Sequence, residues 1–72
     1  MSFDYSMLSG KIVEKCGTQS RFAKEMSMSE RSMSLKMNGK VDWRQDEILK
    51  ACACLGIEHA EIPAYFFRQK VQ

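Results

Sequence analysis

The chain has 72 residues, 44% of them apolar and 28% charged, with a formal net charge of +2. This length suits one small domain with one core, and a core of that size rarely supplies more than about 3–5 kcal/mol. The composition is that of an ordinary globule, and the opening MSFDYSMLSG has no basic start and no long apolar run, so a cytoplasmic protein without signal peptide or membrane span is expected.

Tyr5, Leu8, Ile12 and Cys16 recur at steps of three and four, which predicts a first amphipathic helix over about 4–15, capped by Asp4 or Ser6 and ended by Gly17. Thr18 is placed to cap a second helix over about 19–26, in which Phe22 and Met26 face the core and Ala23 permits close approach. Met28 continues the core through the following turn. Ser29 caps a third helix over about 30–38, with Met33 and Met37 on its inner side and Asn38-Gly39 closing it. Asp42 can cap a fourth helix over about 43–55, whose stripe reads Ile48, Leu49, Cys52 and Leu55 before Gly56 ends it. A final short element holds Ile57, Ile62, Tyr65, Phe66 and Phe67, with Pro63 at its first turn. Nothing alternates with a period of two for long enough to form a strand. The expected fold is all-α, with four or five short helices.

Cys16, Cys52 and Cys54 do not form a metal site on this reading. Residues two apart on a helix lie about 200° apart around its axis, so Cys52 and Cys54 diverge, and His59 stands alone. Buried free thiols are the expectation. No Cys/His dyad, carboxylate pair or phosphate-cradling glycine loop points to catalysis, a cofactor or a small-molecule substrate.

The stretch Thr18 to Lys40 is the most informative part of the chain: two short helices joined by a tight turn, the layout of a helix-turn-helix. Charge follows it. From residue 17 to 41, Arg21, Lys24, Arg31, Lys36 and Lys40 stand against Glu25 and Glu30, a net +3. From 42 to 61, Asp42, Asp46, Glu47, Glu58 and Glu61 stand against Arg44 and Lys50, a net −3. The positive share lies with the segment that would face phosphates.

Gln19, Phe22-Ala23, Met26, Met28, Met33 and Asn38-Gly39 stand at the spacing of the lambda-repressor and Cro type of helix-turn-helix, which the chain resembles. The run DEILKACACLGI and the ending IPAYFF carry the likeness along nearly the whole chain, which is similar to the short Cro-like regulators of Gram-positive phages. The resemblance implies one lambda-repressor-like domain over 1–72, with its reading unit at about 18–40, and a role in choosing between lysis and lysogeny. It also implies roles for individual residues. Gln19 resembles the family's phosphate-clamping glutamine, held at a helix N-terminus. Glu30 and Arg31 open the recognition helix, where Arg31 would pair with guanine and Glu30 would accept from cytosine. Leu35 would touch a thymine methyl beside Ser34, while Ser32, Asn38 and Lys40 would meet the DNA backbone. With the capping Ser29, these form the candidate DNA- or partner-binding set. The chain departs from the family at Ser27, where most members have glycine, and at Lys36, which replaces an inward apolar residue. The expectation for Lys36 is that its stem lies on the core while its amine escapes to solvent or phosphate.

Operator DNA is the leading partner on this reading. The alternative, implied by likeness to the modulator-of-repression group within these phage regulators, is an antirepressor whose same face binds the phage repressor, with Glu30 pairing a basic residue of the repressor. A continuous basic surface on the third helix would favour DNA, whereas an exposed Met or Leu patch flanked by acids would favour protein. The methionines read as core, with an adaptable contact surface as the sharper option. Tyr65, Phe66 and Phe67 are expected to fold back on the first helix, and an outward ring would serve a homodimer contact.

Overall fold

A computed structural model of the chain describes residues 3–70. These residues form five α-helices: α1 (Ser6–Cys16), α2 (Gln19–Glu25), α3 (Glu30–Met37), α4 (Gln45–Leu55) and α5 (Ile62–Phe66), with a 3-10 turn at His59–Glu61 before α5. Among the described residues the sole extended pairing is an isolated antiparallel bridge between Phe3 and Gln69, beside which the Asp4 N–H donates to the Arg68 carbonyl at 2.7 Å. The all-α expectation therefore holds.

Local chemistry explains the helix boundaries. The Asp4 carboxylate accepts from the Ser6 N–H at 2.9 Å, so α1 starts two residues later than expected, with Asp4 holding its first turn from outside. Thr18 Oγ1 accepts from the Arg21 N–H at 3.1 Å, and Ser29 Oγ accepts from the Ser32 N–H at 3.0 Å, as their N-cap positions require. The fourth helix corrects the sequence reading. It begins at Gln45, not 43, and its cap is Arg44, whose N–H donates to Glu47 Oε1 at 2.8 Å. Asp42 lies too far upstream to cap it.

The core gathers Leu8 and Ile12 of α1, Phe22, Ala23 and Met26 of the α2 segment, Met33 of α3, and Ile48, Ala51, Cys52 and Leu55 of α4. Tyr65 and Phe66 are buried and α5 packs on α1, as expected; Phe67 stays half exposed and meets Phe3 edge-on at 5.8 Å. Leu49 does not belong to the buried stripe, being 48% exposed. The inward face of α4 runs through Ile48, Ala51, Cys52 and Leu55, and one residue past Ile48 turns the side chain about 100° toward solvent. Trp43, which sequence reading passed over, packs edge-on against Phe66 at 5.3 Å.

Lys36 is the second correction. Its amine does not escape to solvent: the residue is 6% exposed, and Nζ lies 2.9 Å from Glu47 Oε1 while donating to the Asp42 carbonyl oxygen at 3.0 Å. The amine finds a carboxylate already positioned by the Arg44 N–H, so reaching inward costs it little of its electrostatic satisfaction. Burial alone would raise the Glu47 pKa; the hydrogen bonds from Lys36 and the Arg44 N–H, with the Lys36 charge, outweigh it and hold the carboxyl below its usual 4.5.

Cys16 and Cys52 are buried free thiols, and Cys54 is half buried. Burial pushes the Cys16 thiol up to about 11, helped by its hydrogen bond to Glu25 Oε2 at 3.0 Å and by that carboxylate's charge. Among the described residues no His, Cys, Asp and Glu group could hold a metal ion.

Two expectations follow from these interactions. Lys36→Ala should lower stability by on the order of 2 kcal/mol in urea denaturation near neutral pH, because it leaves Glu47 without its cation. Since the folded Glu47 pKa is depressed, the contribution is fully present above about 4.5 and is lost as pH falls through the lower folded value, so the variant and the parent should converge in acid. A thiol-specific reagent at about pH 8 should modify Cys54 well before Cys16 and Cys52, read by mass spectrometry of the native protein.

Candidate functional site

The turn between α2 and α3 is short and tightly bonded. The Met26 N–H closes the last turn of α2 on the Phe22 carbonyl, and the Ser27 N–H donates to the Lys24 carbonyl at 3.0 Å. Ser27 then takes a left-handed conformation (φ 58°), and the Met28 N–H reaches back to the Ala23 carbonyl at 2.8 Å. The resemblance leads one to expect glycine here, and the backbone adopts the glycine-favouring geometry with serine in place. From α4, Lys50 Nζ donates to the Met26 carbonyl oxygen at 3.3 Å, which pins the end of α2 from below.

This arrangement sorts the candidate residues into three neighbouring depressions. Gln19, at the start of α2, lies beside Glu30, Arg31 and Ser34 of α3, with Ser20, around a hollow of about 360 Å³. Ser29, Ser32 and Leu35 line a groove of about 410 Å³ with Met28, Val41, Arg44 and the Lys36–Glu47 pair. Asn38 joins Gln19 in a third hollow of about 300 Å³, together with Ser6, Ser9 and Lys70, and its Nδ2 donates to Ser34 Oγ at 3.2 Å. Lys40 is exposed and lines none of the three, although its N–H donates to the Leu35 carbonyl at 2.8 Å. Gln19 therefore borders two hollows, while Leu35, one helical turn on from Arg31, lines the neighbouring groove.

Sequence reading missed Val41 and Arg44. Val41 is 43% exposed beside Leu35, although nothing in its local pattern sets it apart from a core residue that follows a helix-ending glycine. In the sequence Arg44 reads only as a charge; in the structure it stands on the groove rim as the cap of α4, with Nε 3.4 Å from Asp46 Oδ1.

The electrostatics differ from the even basic face that residue counting suggests. Glu47 neutralises Lys36 within the structure. On the exposed side of α3, Arg31 sits next to Glu30, and Lys40 follows the helix. Arg21 and Lys24 are exposed on α2, while Glu25 faces α1 through the Cys16 thiol. The surface is of mixed charge, with an apolar groove along one flank.

Residues 1–69 match the profile of a family described as a protein of unknown function, DUF739. Among solved structures, the chain is similar to the solution structure of the modulator of repression (MOR) of the temperate bacteriophage TP901-1 from Lactococcus lactis. The two share 58% identity with a TM-score of 0.84, covering 100% of this chain and 97% of that one. No curated protein sequence matches.

The strained turn gives a direct test. Ser27→Gly should raise stability by about 1 kcal/mol in chemical denaturation, since glycine adopts this φ without the steric cost a Cβ imposes. The secondary structure by circular dichroism should be unchanged.

Proposed function

This chain belongs to the DUF739 family, and we propose that it is a phage regulator of the lysis–lysogeny switch that binds the phage repressor directly through the exposed face of α3. The observation that carries this reading is the make-up of that face: an adjacent Glu30 and Arg31, and beside them the partly exposed Leu35 and Val41. Phosphate binding draws on unpaired cations, and here Lys36 is turned inward and neutralised. A repressor's own DNA-reading surface is cationic. Against it Glu30 supplies an opposite charge, Arg31 a donor fork for a carboxylate, and Leu35 with Val41 an apolar patch to bury. Covering that surface would keep the repressor from its operator. The name of the similar TP901-1 protein, a modulator of repression, agrees with such a role.

A second reading, operator binding by the same unit, is favoured by one arrangement. Gln19 stands at the start of α2 beside Arg31 and Ser34, with Asn38 and Lys40 further along, which is where a DNA strand crossing both helices would meet them.

The deciding experiment pairs calorimetry against the purified repressor with fluorescence anisotropy on labelled operator duplexes at two salt concentrations. Glu30→Lys should weaken repressor binding at least tenfold, about 1.4 kcal/mol, while raising salt-sensitive affinity for any duplex. Leu35→Asp should likewise weaken repressor binding. Sequence-selective duplex binding by the parent, lost in Arg31→Ala, with no repressor binding at micromolar concentrations, would overturn the first reading in favour of the second.

A further inference from the structure

A cleft of about 260 Å³ lies where residues 3–5, the segment before α4 and the end of α5 meet. Its walls are the rings of Phe3, Tyr5, Trp43, Phe66 and Phe67 with Ile48 of α4, and Asp42 stands among them. The rings are set at steep angles to one another: Trp43 and Phe66 at 5.3 Å and 79°, Phe3 and Phe67 at 5.8 Å and 86°, Phe3 and Tyr5 at 6.5 Å and 58°. At such angles the edge of one ring meets the face of its neighbour. No residue of α3 contributes to it.

Three further observations bear on what would fill this space. The Asp42 carboxylate is exposed, and among the described residues no cation pairs with it, because Lys36 takes only its backbone carbonyl. Asp42 also lies close enough to Tyr5 for its charge, after burial, to push the phenol pKa up. The Trp43 indole N–H is buried without an acceptor, so no hydrogen bond fixes the plane of that ring. An anion would be repelled by Asp42 and by the negative faces of the rings. A purely apolar group would leave the carboxylate unused. A cation satisfies both, and a flat one stacks on the rings best.

We propose that this cleft is a docking site for an arginine side chain presented by a protein partner, with the guanidinium stacked among Phe3, Trp43 and Phe67 and paired with the Asp42 carboxylate. This site is separate from the α3 face and does not depend on what that face binds. It would give the chain a second point of attachment on a basic protein, and two weak contacts on one rigid body bind far more tightly than either alone.

Trp43 is the only tryptophan, so its emission and its indole N–H resonance report on this cleft alone. The probe is triarginine amide, compared with tricitrulline amide, the neutral isostere, at matched ionic strength. Saturable changes in both Trp43 signals are expected with triarginine below about 10 mM, the range of a single-side-chain site, and not with tricitrulline. Asp42→Asn and Phe67→Ala, both surface changes, should each weaken the response at least fivefold with the circular dichroism spectrum retained. Glu30→Gln should leave it unchanged. An equal response to tricitrulline, an unaltered response in Asp42→Asn, or no response to triarginine would each overturn the proposal.

Discussion

An amine carried inward on α3 holds two parts of this fold in register. Lys36 bridges the Glu47 side chain and the Asp42 carbonyl, and so joins the inner side of α3 to the start of α4. The Arg44 N–H binds the same carboxylate oxygen, so one anionic atom organises both the cap of α4 and the segment that precedes it. That segment carries Trp43 onto Phe66 and Asp42 to the rim of the aromatic cleft. The burial of a charged pair in so small a protein costs desolvation, which its hydrogen bonds offset. Its structural return is a defined path for residues 38–44, where the chain has no regular secondary structure.

The same interaction shapes the outer surface by subtraction. A lysine that faced outward would have reinforced a basic strip along α3. With its amine withdrawn, the exposed side of the helix presents a carboxylate, a guanidinium, serines and part of a leucine. Such a surface is closer in character to a protein interface, where charges are paired and apolar groups buried, than to a phosphate-tracking one. The acidic and aromatic cleft lies on other elements of the molecule, so the two surfaces differ in chemistry as well as in position.

Much of the architecture was legible from the chain itself. Thr18 and Ser29 announced the starts of α2 and α3 because a short hydroxyl ahead of an apolar period has one common use, and both make the expected bonds. The left-handed glycines at 17, 39 and 56 marked helix ends in the same way. What could not be read were features decided by tertiary partners. Lys36 looked like a snorkelling side chain because its carboxylate lies eleven residues away, and sequence spacing says nothing of that meeting. Leu49 was misassigned because two adjacent apolar residues cannot both lie on a narrow stripe, and only the packed neighbours show which one does. At the candidate site, the grouping of Gln19 with Glu30, Arg31 and Ser34 followed from the two-helix layout, whereas the groove flanked by Val41 and Arg44 arises from the loop after α3 folding over it.

The bridge between Phe3 and Gln69, with Asp4 bonded to Arg68, joins the beginning of the described chain to its end. Tyr65 and Phe66 complete the enclosure of α1 from the same direction. The apolar side of α1, covered in part by α2 and α4, is closed by residues from the far end of the described chain. That closure is a contact of long sequence separation, so docking α5 carries a loop-closure cost that the local α1–α2 and α2–α3 contacts do not.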